Sequence, residues 1–134
     1  MSTPSESKPK SKTGMARIWA AFFYSLHGLG FAISNSSAFR QELIAAILLS
    51  GLLPFLPLSL LWKGLLLFST WSILVAELLN TAVECAIDLV TSEYHILAKR
   101  SKDLGSAAVL INIIVTAILW GCAIFLILNP SSSG

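Results

Sequence analysis

Charge is scarce in this chain. Only 12% of its 134 residues are Asp, Glu, Lys or Arg, about half the share of a soluble domain. Cysteine and histidine are scarcer still, with two of each. Cys85 and Cys122 lie in apolar sequence with no partner at ligand spacing, which excludes a disulfide framework or a Cys/His metal cluster. There is no Gly-rich phosphate loop and no internal repeat. A short apolar core followed by a small-residue cleavage site is also missing, so no removable leader is expected.

What remains is apolar. Hydrophobic residues make up 55% of the chain, and the mean hydropathy is +0.78. These values predict an all-α integral membrane protein. Leu43–Trp62 and Leu104–Leu128 are uncharged, and each is long enough to span a bilayer. Residues 15–33 alternate at helical period. Ile18, Phe22, Leu26, Leu29 and Ile33 share one face, and Arg17, Tyr24 and Gly28 share another. That pattern suits a helix lying in the membrane interface. Ser34-Asn35-Ser36-Ser37 breaks it and can cap the next helix. Pro54 and Pro57 end the first run. The expected plan is a disordered tail over 1–14 and a membrane domain over 15–130. Within it come the surface helix 15–33 and three spans at about 38–56, 60–91 and 103–128, then a short tail at 131–134.

Basic residues set the orientation. Lys8, Lys10, Lys12 and Arg17 cluster near the N-terminus, and Lys99, Arg100 and Lys102 lie between the second and third spans. Such clusters mark the cytoplasmic side, so the N-terminus is expected there, with no nucleic-acid partner implied. The chain is too short to enclose a polar site alone, so oligomerisation is expected.

The most informative residues are acids in the wrong place. Glu77, Glu84 and Asp88 interrupt the otherwise apolar stretch Gly64–Val90. A charge at the centre of a membrane helix costs about 2.5–3.5 kcal/mol. With Asn80 they fall within a sector of about 80° on one helical face, roughly 16 Å long. A polar stripe of this kind suits cation binding and proton transfer. Paired with Lys99 or Lys102, the lower acids could instead merely anchor the helix end.

Glu77-Leu78-Leu79-Asn80-Thr81-Ala82-Val83-Glu84, continuing to Asp88, resembles the central signature of the prokaryotic diacylglycerol kinase family. Ser92-Glu93-Tyr94-His95 and Lys102-Asp103-Leu104-Gly105-Ser106-Ala107-Ala108 extend the resemblance. Ala38-Phe39-Arg40-Gln41-Glu42, Arg17 and Tyr24-Ser25 fit it upstream. The resemblance implies a surface helix with three membrane helices, assembled as a homotrimer in the bacterial inner membrane. It also implies transfer of the ATP γ-phosphate to diacylglycerol, giving phosphatidate, with Mg²⁺ as cofactor.

Roles follow by resemblance only. Glu77 is the general base and Asn80 orients it. Glu84 holds metal and nucleotide, and Asp88 is a further candidate ligand. Arg17, Tyr24, Glu93, Tyr94, His95, Lys102 and Asp103 contact ATP. The lipid side comprises Arg17, Ser25, Ala38, Phe39, Arg40, Gln41, Glu42, Glu77 and Ser106. One position departs from the family pattern. Ser36 stands where a second acidic metal ligand is expected, and a neutral hydroxyl is a much weaker ligand. Two alternatives stay open from the sequence: an undecaprenol kinase, which shares the signature, and a non-catalytic membrane subunit that passes protons or cations along the stripe.

Overall fold

The computed structural model describes residues 14–129. The tail expected over 1–14 lies outside these residues except for Gly14, as do residues 130–134. Four α-helices account for nearly all of the described chain, and no strand occurs among the described residues: α1 (Met15–Asn35), α2 (Ser37–Leu52), α3 (Leu60–Val90) and α4 (Ile96–Leu128). The chain divides into two compact units, the first ending at Phe31 and the second starting at Ala32.

In the first unit, Gly14 takes a left-handed φ of 63°, which glycine tolerates without cost to a side chain. Its carbonyl accepts from Arg17 N at 3.0 Å and so starts α1. Trp19, Phe22 and Phe23 form an aromatic cluster with ring centroids 5.8–6.4 Å apart. Ile18, Trp19, Phe22, Phe23, Leu26 and Leu29 are all exposed, so α1 carries a wide unburied apolar surface.

In the second unit, local capping fixes where each helix begins. Ser36 is extended, and its hydroxyl accepts from Phe39 N at 3.0 Å, capping α2. Pro54 follows the helix in a 3-10 turn, Leu53–Phe55. Lys63 Nζ donates to Pro54 O at 3.2 Å and closes this turn. Ser59 caps α3 through Trp62 N. His95 caps α4, its Nδ1 accepting from Leu97 N at 3.2 Å. A polar connection over 92–101 would leave the chain irregular as far as Ser101, but α4 already begins at Ile96. The cap and the Lys99–Asp103 pair, one turn apart at 2.7 Å, turn most of that segment into helix.

Helices α3 and α4 form a long antiparallel hairpin, and α2 packs antiparallel on α3. Two small cores hold them. Ala32, Phe39, Ala46 and Leu74 make one; Leu53, Leu66 and Ala123 make the other, flanked by Trp62, Leu119 and Trp120. Most apolar side chains stay outside. Ile111, Ile114, Val115, Ile118, Ile124 and Phe125 on α4 are exposed. Apolar surface on this scale does not face water. Ser37–Phe55 and Ile96–Leu128 are long and apolar enough to cross a membrane. The fold is that of an all-helical membrane protein.

Candidate active site

The acid stripe lies along the inner side of α3, and its surroundings change with depth. Glu77 and Asn80 are buried, Glu84 is half-buried and Asp88 is exposed. Ser36 Oγ donates to Glu77 Oε1 at 3.0 Å. This bond places the start of α2 level with Glu77. Beyond that level α3 runs on for about 20 Å past the start of α2. Asn80 Nδ2 donates to Glu84 Oε1 at 3.3 Å. Lys102 Nζ pairs with Asp88 Oδ1 at 2.5 Å, linking the two arms of the hairpin near its turn.

Two buried oxygens find no hydrogen-bond partner: Asn80 Oδ1 and Glu42 Oε2. Buried polar groups are nearly always satisfied, so two orphans in one neighbourhood mark it as specialised. Glu42 stands on α2 close enough to Glu77 for the two carboxylates to repel. The Asn80 oxygen faces Gly105 on α4. A Cβ there would collide with it and sit 3.4 Å from Asn80 Cγ. Gly105 therefore allows α4 to close over Asn80.

At the hairpin turn lies a cavity of about 410 Å³, lined by Ile87, Asp88, Thr91, Ser92, Glu93, Tyr94, Ala98 and Lys102. Thr91 Oγ1 bonds both the N–H and the C=O of Glu93 at 3.2 Å, which shapes the turn. A larger groove of about 920 Å³ is almost wholly apolar. It lies along Leu67, Phe68, Trp71, Val75 and Leu79, on the face of α3 turned away from the acids.

Residues 23–125 match the family described as prokaryotic diacylglycerol kinase. A protein named diacylglycerol kinase from Escherichia coli (strain K12) is 44% identical over 108 residues, covering 81% of this chain and 88% of its own. One from Helicobacter pylori is 41% identical over 116 residues, covering 87% and 90%. One from Haemophilus influenzae is 38% identical over 113 residues, covering 84% and 96%. The chain belongs to the prokaryotic diacylglycerol kinase family.

In this family member the structure gathers some of the expected residues and not others. Glu77, Asn80, Glu84, Asp88 and Lys102 lie along one seam. Glu93 and Tyr94 line the cavity at its end. His95 stands beside that cavity but uses Nδ1 as a helix cap. Asp103 pairs with Lys99, not with Lys102. Arg17, Tyr24 and Ser25 belong to the first unit, where Ser25 Oγ donates to Ala21 O at 3.0 Å. Ala38, Gln41 and Ser106 are exposed. Phe39 is 1% exposed and packs in the core with Ala32, Ala46 and Leu74. Arg40 Nη1 donates to Ile33 O at 2.9 Å and Ser34 O at 3.3 Å, satisfying carbonyls at the end of α1.

Sequence reasoning missed Gly105 as a spacer and Thr91 and Ser92 as cavity walls. It named Ser36 by position, but not as a partner of Glu77. Among the described residues no group of three His, Cys, Asp or Glu can hold a metal. Glu84 and Asp88, one turn apart, are carboxylates of the hard-oxygen type that would suit a divalent cation completing its shell with water and phosphate.

Proposed function

We propose that this protein transfers the γ-phosphate of ATP to the hydroxyl of diacylglycerol, giving phosphatidate at the cytoplasmic face of a bacterial inner membrane. One observation carries the reading. A buried carboxylate, Glu77, ends a line of acids that runs to a polar cavity at the hairpin turn, in a chain of this family.

Helix lengths support the placement. α3 and α4 have 31 and 33 residues, about 46 and 50 Å, against a hydrocarbon core of about 30 Å. With α2, α3 and α4 all crossing, the turn end of the hairpin stands clear of the hydrocarbon. Glu84, Asp88, Glu93, Lys102 and Asp103 then face water, while Glu77 sits at the boundary. The N-terminus lies on the same side, and the exposed apolar surface of α1 rests in the interface. Three copies assemble into the working enzyme, as the resemblance to the family implies.

Phosphoryl transfer is mainly positioning and charge neutralisation. The lipid hydroxyl approaches Glu77 from the bilayer boundary, and the Glu77 carboxylate takes its proton as the oxygen attacks phosphorus. Asn80 holds Glu84 through its amide and keeps that carboxylate two turns below the base. The nucleotide occupies the turn cavity, where Lys102 offsets phosphate charge and Glu93 and Tyr94 form the wall. Mg²⁺, held by Glu84 and Asp88, would neutralise the phosphate oxygens. Arg17, Tyr24 and Ser25 contribute from the surface helix.

The test is phosphate transfer from ATP by purified protein in bicelles, with diacylglycerol and undecaprenol offered together. Label in phosphatidate that vanishes with Glu77→Gln supports the reading. Label entering undecaprenol alone, or ATP-independent cation flux without label transfer, would replace it with one of the two alternatives.

A further inference from the structure

We infer that Ser36 is a positioning residue for Glu77, its hydroxyl holding one carboxylate oxygen so that the other faces the acceptor hydroxyl. The inference rests on the reading of Glu77 as the base.

The geometry leaves the Ser36 proton one destination. A serine hydroxyl has one O–H to donate and two lone pairs to accept with. Ser36 Oγ accepts from Phe39 N at 3.0 Å, which occupies a lone pair. Its proton goes to Glu77 Oε1, also at 3.0 Å. Glu77 makes no other side-chain hydrogen bond among the described residues, so Oε2 remains to take a proton. The same hydroxyl thus caps α2 and pins the carboxylate that α3 carries 41 residues later. The backbones of α1 and α2 fix Ser36 from either side, Ser36 N donating to Ala32 O at 2.9 Å and Arg40 N to Ser36 O at 3.3 Å. A donor held on both sides can set the rotamer of its acceptor.

This assigns the position a role that a metal ligand would not have. An acid at this point would set a second carboxylate against Glu77, whereas serine supplies a donor.

The two duties of the hydroxyl separate by substitution. Glycine caps helices nearly as well as threonine, and alanine caps poorly. Ser36→Gly therefore keeps the cap and loses the donor, Ser36→Ala loses both, and Ser36→Thr keeps both. In bicelles with saturating ATP and diacylglycerol, Ser36→Gly and Ser36→Ala should both lower kcat by about 10- to 100-fold, the size of a lost bond to a charged group. KM for ATP and for diacylglycerol should hold. Ser36→Thr should recover most of the rate. Ser36→Ala should also unfold at lower temperature than Ser36→Gly. Adding Ser36→Gly to Glu77→Gln should cost nothing further. Parental kcat in Ser36→Gly, or a loss confined to KM, would overturn the inference and leave Ser36 a cap. Undiminished transfer by Glu77→Gln would overturn the reading of the base itself, a result separable from the first.

Discussion

The seam between α3 and α4 is polar at both ends, but the two ends use polar groups differently. Near the α2–α3 turn, every polar side chain that the seam buries has a partner. Ser72 Oγ donates to Asn112 Oδ1 at 2.7 Å, Thr116 Oγ1 to Ser69 O at 3.0 Å, and Trp120 Nε1 to Thr70 Oγ1 at 3.1 Å. All are neutral. Toward the α3–α4 turn the groups are charged and a cavity opens, and part-way along, among the described residues, Asn80 Oδ1 and, on α2, Glu42 Oε2 are buried without hydrogen-bond partners. Satisfied neutral bonds between membrane helices lock register. Incomplete charged ones store binding capacity for something that arrives. The contrast marks the charged end as the candidate site without reference to any relative.

The largest expected effect sharpens that contrast. Glu77→Gln should lower the transfer rate by about 10²- to 10⁴-fold, the range for losing a general base. The fold should persist, because a glutamine oxygen can still accept from Ser36. Rates of labelled phosphatidate formation, measured beside thermal unfolding of the same sample, check both halves. A Gln variant that is unfolded instead of inactive would make Glu77 a structural group like Thr116.

Glycines on α4 offer the next comparison. A Cβ at Gly105 meets Asn80, while one at Gly121 meets nothing within 4 Å. Gly105→Ala should destabilise by about 1–3 kcal/mol through overpacking. Gly121→Ala should be neutral or stabilise by up to about 1 kcal/mol, since alanine is the better helix former. Unfolding of the two variants in the same detergent decides it. Equal stabilities would mean that the hairpin arms are free to spread at the site.

The sequence made the stripe legible because helical period alone puts Glu77, Asn80, Glu84 and Asp88 on one face. The ends of α1 and α2 were legible for the same kind of reason: Ser36 and Pro54 act on their immediate neighbours. Pairings across the fold were not. Nothing local says that Ser36 meets Glu77, that Lys102 takes Asp88 while Lys99 takes Asp103, or that Gly105 lies over Asn80. Those depend on the antiparallel register of helices far apart in sequence. Asn112 and Thr116, one turn apart in a long apolar run, did carry a signal for the second polar patch. Only the register of α3 against α4 tells which partners they find.

Lys102 tests the charged end more gently. Its side chain and that of Asp88 are 38% and 63% exposed, and pairs so open to solvent contribute little to stability. Lys102→Met should leave unfolding almost unchanged and raise KM for ATP by roughly tenfold, the loss of one bond to a charged phosphate. An unchanged KM accompanied by early unfolding would make the pair an anchor for the helix ends.

The smallest effect belongs to the neutral end. Thr116→Val removes a donor to Ser69 O, but that carbonyl lies inside α3 and keeps its backbone bond within the helix. Hydrogen bonds between membrane helices average about 0.6 kcal/mol, so a loss near that size is expected in unfolding, with no change in transfer rate. The rate is the sharper readout. Thr116 lies far along α4 from the cavity at the α3–α4 turn, and register held by several bonds tolerates losing one. If Thr116→Val slowed transfer as strongly as a substitution of Ser36, the two ends of the seam would act as one unit. The division between locking bonds and working charges would then have to be abandoned.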